Sequence, residues 1–349
     1  AYKMKIAIIN DTHFGHKNDS PFFLEESLKF FEDQFFPYLK QNNIRHVLHL
    51  GDLMDRRKYV NFNTLHQVQE RFMSYFEQND IKLHITIGNH DTYFRNTNKV
   101  NSIRELFGKY SSIEIYEEPT DLYFSGLKIA LIPWMTKDNA DNCLDYIQST
   151  SASILAGHFE INGFEVVSNI RHSSGNDIGV FRRFDKVLSG HFHLKQSREN
   201  IHYLGTQYQL SFADVNAKKG FTVLDTETRE LEHVENSRRV FHVLKYDDVA
   251  GISKINCDDI RGGNVKLVVV NKNKPKLFDS FIDTLMQCEL QELSVVEEFE
   301  RSSDSDEAID ITQDTLSIIA SEIDSNENIH NKEKIKNVIR ELYVESLSV

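Results

Sequence analysis

Apolar positions along the chain fall into two periods. The runs MKIAIIN, RHVLHLG, IKLHITIG, KIALIP, ASILAG and KVLSG are short and β-branched, and each ends at a turn or polar cluster, the pattern of buried strands. Longer stretches between the early runs keep helical spacing. Residues 22–40 place Phe23, Ser27, Phe30, Phe31 and Phe35 on one side, with closure expected at Pro37, which lacks a backbone N–H. Residues 62–79 and 99–109 also read as helices. Strand–helix–strand alternation predicts an α/β domain built on a mainly parallel sheet. Past residue 196 the chain turns strand-rich, as in IHYLGT and GFTVLDTET.

The character changes again near residues 236–240. RRVFHVLKY, NVKLVVV and ELSVVEEF read as strands, and KLFDSFIDTLMQCEL carries Leu277, Phe278, Phe281, Ile282 and Leu285 on one helical face. The expected organisation is a first domain over 1–236, a small α+β domain over 237–300, an acidic linker over 301–308 and a helical segment over 309–349. That last segment has two amphipathic stripes: Ile309, Leu316, Ile319 and Ile323, then Ile335, Val338, Ile339 and Leu342. A stripe behind a linker needs the body or a partner to cover it.

Composition changes this picture in three places. Hydrophobic residues make up 40% of the 349, enough for a sizeable core and against global disorder. The formal charge of −13 argues against a nucleic-acid partner until it is located. Residues 289–327 hold 13 acidic side chains against Arg301 alone, which leaves residues 1–288 at only −2. Cys143, Cys257 and Cys288 are odd in number and far apart, so three reduced thiols are expected. No secretory signature appears at the N-terminus, and no stretch approaches the roughly 18 apolar residues of a membrane span. A soluble, cytoplasmic protein is expected.

Five of the strands end in metal-ligand chemistry. MKIAIIN leads to Asp11 and His13, HVLHLG to Asp52, LHITIG to Asn89-His90-Asp91, SILAG to His158, and KVLSG to His191 and His193. Carboxyl ends of strands in α/β sheets converge on one crevice. An Asp, Asn and His set gathered there suits manganese, iron or zinc better than an all-oxygen magnesium or calcium cage. Each dipeptide alone is weak; the ordered set of five is specific.

The series Asp11-Thr12-His13-Phe14-Gly15, Gly51-Asp52, Gly88-Asn89-His90-Asp91, Gly157-His158 and Gly190-His191-Phe192-His193 resembles the motifs of the calcineurin-like metallophosphoesterases. Within them the chain resembles the SbcD-type nuclease subunits of double-strand-break repair complexes, most of all those of T-even-like bacteriophages. GDLMDRRK, Leu131 to Met135, SASILAGHFEING, LSGHFH and ELYVES carry that narrower likeness. The resemblance implies a four-layer α-β-β-α sandwich with a small α+β capping domain and a C-terminal helical tail. It implies two divalent metals, manganese before magnesium. Asp11, His13 and His193 would hold one, Asn89, His158 and His191 the other, and Asp52 both. His90 would assist the leaving group and Asp91 would orient His90. The implied activity is a 3′→5′ double-strand exonuclease and single-strand endonuclease. The implied partners are DNA, an SbcC-type coiled-coil ABC ATPase gripped by the tail, and a second copy of the chain meeting it through the helices at 62–79 and 99–109. If the source is a phage, the compartment is the host cytoplasm.

One departure stands at Asp55, where archaeal and eukaryotic relatives often carry a histidine and bacterial and phage types resemble this sequence, so no substrate role of that histidine transfers. Arg56, Arg57 and Lys58 follow Asp52 on the ligand side and are candidates for DNA phosphates, as are Arg171 and His172 between two ligand motifs. His46, His49 and His84 alternate with apolar residues and read as structural, and Trp134 as a packing residue. Tyr203 and GTQY are candidates for a substrate loop. Two other functions compete. GDLMDR is similar to a phosphatase motif, but Arg57 stands where glycine would follow and Asp91 where glutamate would, which disfavours a phosphomonoesterase. A DNA-tethering scaffold has no need of seven ligands.

Overall fold

A computed structural model describes residues 4–167, 170–297, 319–320, 322–324 and 330–346. The chain forms two compact units, one of residues 1–208, 218–236 and 327–349, the other of residues 209–217 and 237–326.

The strands of the first unit, in chain order, are β1 (Lys5–Ile9), β2 (His46–His49), β3 (Lys82–Thr86), β4 (Ile113–Tyr116), β5 (Thr120–Phe124), β6 (Leu127–Ile132), β7 (Ile154–His158), β8 (Glu165–Val167), β9 (Ile170–Arg171), β10 (Lys186–Gly190), β11 (Gln196–Arg198), β12 (Ile201–Tyr203), β13 (Gly220–Asp225) and β14 (Leu231–Glu235). They build two six-stranded sheets, ordered β14-β13-β1-β2-β3-β4 and β11-β12-β10-β7-β6-β5. The centres are parallel, as the alternating pattern predicts, and antiparallel strands complete every edge except that of β4, which runs parallel to β3. Ile6, Ile8 and Leu48 of the first sheet meet Leu122, Ile129, Leu131, Ile154 and Leu188 of the second in a fully buried seam. On the outer face of the second sheet, Cys143 and Ile147 of helix Ala140–Ser149 cover Ala130, Leu155 and Val187. An aromatic layer covers the first: Phe31 lies 4.8 Å from Phe72, and Phe35 lies 4.9 Å from Phe221. Helix, sheet, sheet and helix are the expected four layers.

The first helix does not close at Pro37. It runs Pro21–Phe30, passes through a π-turn at Phe31–Phe35, and continues as Phe36–Gln41. In the wide turn Phe36 N–H bonds to the Phe31 carbonyl, so Pro37 falls in a fresh first turn, where a missing N–H costs little. The second helical stretch, Phe62–Gln78, also holds a π-turn, and Asn61 caps its first turn. The third shortens to Ser102–Phe107, capped by Asn101.

In the second unit, β15 (Phe241–Asp247), β16 (Asn264–Asn271) and β17 (Glu292–Glu297) pair in parallel. Helix Pro275–Met286 seats Phe278 and Leu285 on Tyr246, Leu267 and Val269. The expectation of three free thiols is overturned here. Cys257 and Cys288, 31 residues apart, form a disulfide with Cα atoms 4.8 Å apart, and Cys143 alone is free and buried. Spacing along the chain carries no sign of this contact, which exists only once the two cysteines meet in the core of this unit.

The linker at 301–308, Ile309 and Leu316 lie outside the described residues. Ile319 has helical backbone and Ile323 is buried. Helix Lys332–Ser346 belongs to the first unit, where the Ser173 hydroxyl donates to Asn337 Oδ1 across 2.9 Å. Its Ile335 and Ile339 are half-buried and Val338 is exposed; Leu342 lies further along the same helix. Among the described residues no helix is long and apolar enough to cross a membrane.

Candidate metal centre

The parallel strands of both sheets deliver their chemistry to one point. Asp11 and His13 follow β1, Asp52 follows β2, Asn89 to Asp91 follow β3, His158 ends β7, and His191 and His193 follow β10. The backbone there is unusual. Asp11, His13, Asp52 and His191 all have positive φ (50°, 43°, 58° and 90°), a region that side chains with a Cβ seldom enter. Hydrogen bonds hold them so: Asp11 N–H donates to the Gly51 carbonyl at 2.9 Å and His191 N–H to the Asp11 carboxylate at 3.0 Å. Gly88 packs so closely on Asp52 that an added Cβ would overlap its carboxylate and its backbone nitrogen.

The side chains converge as donor sets. Asp52 Oδ2 lies 3.3 Å from His158 Nε2 and 3.7 Å from His13 Nε2, so one oxygen faces both sides of the site. Asp11 Oδ1 is 3.9 to 4.0 Å from the Nε2 atoms of His13, His158 and His193. His13 Nε2 and His193 Nε2 face each other at 3.1 Å. Asn89 Oδ1 stands 2.9 Å from His158 Nε2 and 3.0 Å from His191 Nδ1. Ligand atoms of Asp11, His13 and His193 fall within 4.8 Å of one another, as do those of Asp11, Asp52 and His158. Nitrogen and carboxylate oxygen donors aimed at shared points are what divalent transition metals take. All seven expected ligand positions therefore lie together, and their donor types fit divalent metal binding.

The electrostatics divide the imidazoles into two kinds. Burial holds His191 and His193 below the usual imidazole range, hence neutral, the ligating form. Burial also opposes charge on His13 and His158, but carboxylates outweigh it and push both rings up to about 9; Asp55 and Asp52 act on His13, Asp52 and Asp11 on His158. Burial disfavours the Asp52 carboxylate, yet the His158 and His90 charges hold it well below the ordinary range.

His90 stands at the same point, its ring edge-on to His13 at 4.7 Å. The partner of its Nδ1 is the Asp55 carbonyl, at 2.6 Å. The Asp91 carboxylate, expected to orient His90, is met by backbone donors. It accepts the N–H groups of Asp52 at 2.7 Å, Gly88 at 2.8 Å and Leu53 at 3.0 Å, and so locks the loop after β2 to the loop after β3. A buried carboxylate serves loops in this way whenever their backbone donors lack partners.

Residues 4–195 match the calcineurin-like phosphoesterase family. The chain belongs to that family. It is 31% identical over 352 aligned residues to "Exonuclease subunit 1" of Enterobacteria phage T4, covering 98% of this chain and 99% of that protein. It is 28% identical to an SbcCD nuclease subunit of Staphylococcus epidermidis over 65% of this chain and 67% of that one.

The other candidates of this phosphoesterase separate clearly. Arg56 is bonded to Asn18 Oδ1 at 2.6 Å and lies 3.6 Å from Asp19. Arg57 is half-buried and Lys58 exposed, 5.8 Å over the Tyr93 ring. His172 pairs with Glu160 at 2.8 Å, while Arg171 is exposed. Tyr203 is not in a substrate loop: it is buried, its hydroxyl donating to the Phe159 carbonyl at 2.8 Å and accepting from Ile161 N–H at 3.1 Å. Tyr208 of GTQY is buried too, its hydroxyl on the Thr12 carbonyl. His46 and His84 stack on one another, His49 meets the Thr12 hydroxyl, and Trp134 packs 5.1 Å from His191. Sequence reasoning missed Asp55 as a partner of His13 Nδ1, 3.3 Å away, and Asn10 as a donor to Asp11 at 2.6 Å. Their adjacency to ligands was the available signal.

Proposed function

We propose that this phosphoesterase is a DNA phosphodiesterase, the nuclease component of a double-strand-break repair or recombination complex. The observation that carries it is Asp52 Oδ2 set between His158 and His13, with His90 beside them. The names of both relatives support the nuclease over the phosphomonoesterase and the scaffold.

Asp11, His13 and His193 would hold one divalent cation, Asn89, His158 and His191 a second, and Asp52 both, manganese being the first candidate and magnesium the second. Such a pair, when bound, lowers the pKa of a water and neutralises phosphate charge. His90 keeps its Nδ1 proton on the Asp55 carbonyl and burial favours the neutral ring, so Nε2 would first take a proton from water and then pass it to the leaving 3′-oxygen. Asp91 acts as a positioning residue through the two loops it joins. Duplex ends would be cut 3′→5′ and single strands internally. Residues 1–236 form the nuclease domain in this reading and residues 237–300 cap it on DNA. The stripes of residues 309–349 would grip a coiled-coil ABC ATPase, and the helices at 62–79 and 99–109 a second copy.

End-labelled duplex DNA incubated with the chain and Mn²⁺ should release nucleotides, and EDTA should abolish the release. His90→Ala should slow it by about 100-fold or more. Hydrolysis of a phosphomonoester with intact DNA would replace the reading with a monoesterase.

A further inference from the structure

We propose that Tyr93, Phe94 and Arg95 form, with Arg57 and Lys58, a strip that stacks on the bases of unpaired DNA and holds that strand at the metal centre. The inference rests on the nuclease reading above and adds the residues that would grip its single-stranded substrate.

Two loops leave the site side by side. One follows Asp52 and carries Arg57 and Lys58; the other follows Asn89 and carries Tyr93, Phe94 and Arg95. The bond from His90 to the Asp55 carbonyl ties them at the root, and Lys58 Nζ lies over the Tyr93 ring further out. The second loop is also fixed on its far side. Thr92 bridges Asn101, Tyr93 N–H donates to the Val100 carbonyl at 2.9 Å, and Asp138 N–H donates to the Asn96 carbonyl at 3.1 Å. The aromatic pair is thus presented on a held backbone.

Two features point outward to a ligand. Tyr93 and Phe94 meet edge to face at 4.7 Å, yet are 40% and 48% exposed, although rings of this size are ordinarily covered. The Nε and Nη1 atoms of Arg57 are shut off from solvent with no hydrogen-bond partner among the described residues, a state proteins seldom leave unmet. Arg57 stands on the loop after Asp52, next to Lys58, which reaches the Tyr93 ring. A phosphate would meet the exposed Lys58 ammonium beside the half-buried Arg57, and bases would cover the rings. Backbone charge plus ring stacking is how single strands are gripped without regard to sequence. Duplex DNA keeps its base faces inside and cannot offer them. A second copy of the chain would bring like cations against this strip, which argues against a dimer contact here.

The test uses the full chain in EDTA, where DNA stays uncut, and fluorescence anisotropy with two labelled decamers, oligothymidylate and an abasic chain of the same phosphates. The wild type should bind the thymidylate about tenfold more tightly, the worth of about one stacked base. Tyr93→Ala/Phe94→Ala should erase that preference and bind both decamers alike. Arg57→Ala should weaken both and lower the salt slope by about one. Equal affinity of the wild type for both decamers overturns the proposal, and that measurement needs no variant to fold. So does a double variant that turns from dimer to monomer in sedimentation with its base preference intact. Nucleotide release in Mn²⁺ without base preference sinks the strip alone. Base preference without nucleotide release supports the strip and sinks the nuclease reading.

Discussion

Asp91→Asn separates two roles that the motif alone confounds. The carboxylate accepts three backbone N–H groups, Oδ2 those of Asp52 and Gly88 and Oδ1 that of Leu53. Asparagine has one acceptor oxygen. If that oxygen keeps Asp52 and Gly88, the amide NH₂ is turned against Leu53 N–H, so one charge-assisted bond is lost and a buried donor is stranded. Each effect costs about 1–3 kcal/mol, which sets the loss near 3 kcal/mol. In a unit of this size that is about 6–12 °C of Tm. Because Asp52 rides on the same loop, the Mn²⁺ needed for half-maximal activity should rise about tenfold or more. Thermal denaturation with a Mn²⁺ titration reads both quantities, and His90→Ala is the contrast, lowering kcat with Tm nearly unchanged. A Tm within about 2 °C of the wild type, together with a fall in kcat matching that of His90→Ala, would show that Asp91 acts on His90 and would refute the loop-locking argument.

Other expectations follow from the same contacts. Gly88→Ala forces a methyl group into Asp52, so metal-dependent hydrolysis should fall by about 100-fold, a loss that added Mn²⁺ does not restore. Tyr203→Phe strands Ile161 N–H and the Phe159 carbonyl, and should lower stability by about 1–3 kcal/mol, seen as a shift in urea midpoint at constant slope. In the metal-stripped chain His13 and His158 are raised from 6.5 to about 9. Their charged forms are favoured by folding, so that contribution is complete below pH 6.5 and is lost as pH rises through about 9. Stability of the stripped chain should therefore decline across that window. Mn²⁺ binding near neutral pH should release protons, measurable by calorimetry in buffers of different ionisation enthalpy.

Much of this was legible because strand endings and ligand types coincide. The runs that became β1, β2, β3, β7 and β10 each announced both a buried strand and the residue that follows it. Period alone could not foresee that the helix passes Pro37, because a π-turn resets its hydrogen bonding just before it. Nor could spacing show Cys257 beside Cys288, or Tyr203 turned inward to serve the turn after His158. Motif reading assigned Asp91 to His90, whereas its partners are backbone donors, which no side-chain pattern reveals. Tyr93 and Phe94 belong to no motif, and their exposure beside Lys58 exists only in the folded chain.

The positive φ angles of Asp11, His13, Asp52 and His191 set conformational preference against chemistry. A residue with a Cβ pays roughly 1–2 kcal/mol in that region, and glycine does not. At His191, where φ is 90° and burial keeps the ring uncharged, glycine would relax the backbone while removing a ligand, so it should cost far less stability than activity. Random libraries of this chain screened for heat resistance alone should therefore tolerate inactive molecules at that position. Stability and activity have to be selected together, and a retained melting temperature alone is no sign of activity in this part of the molecule.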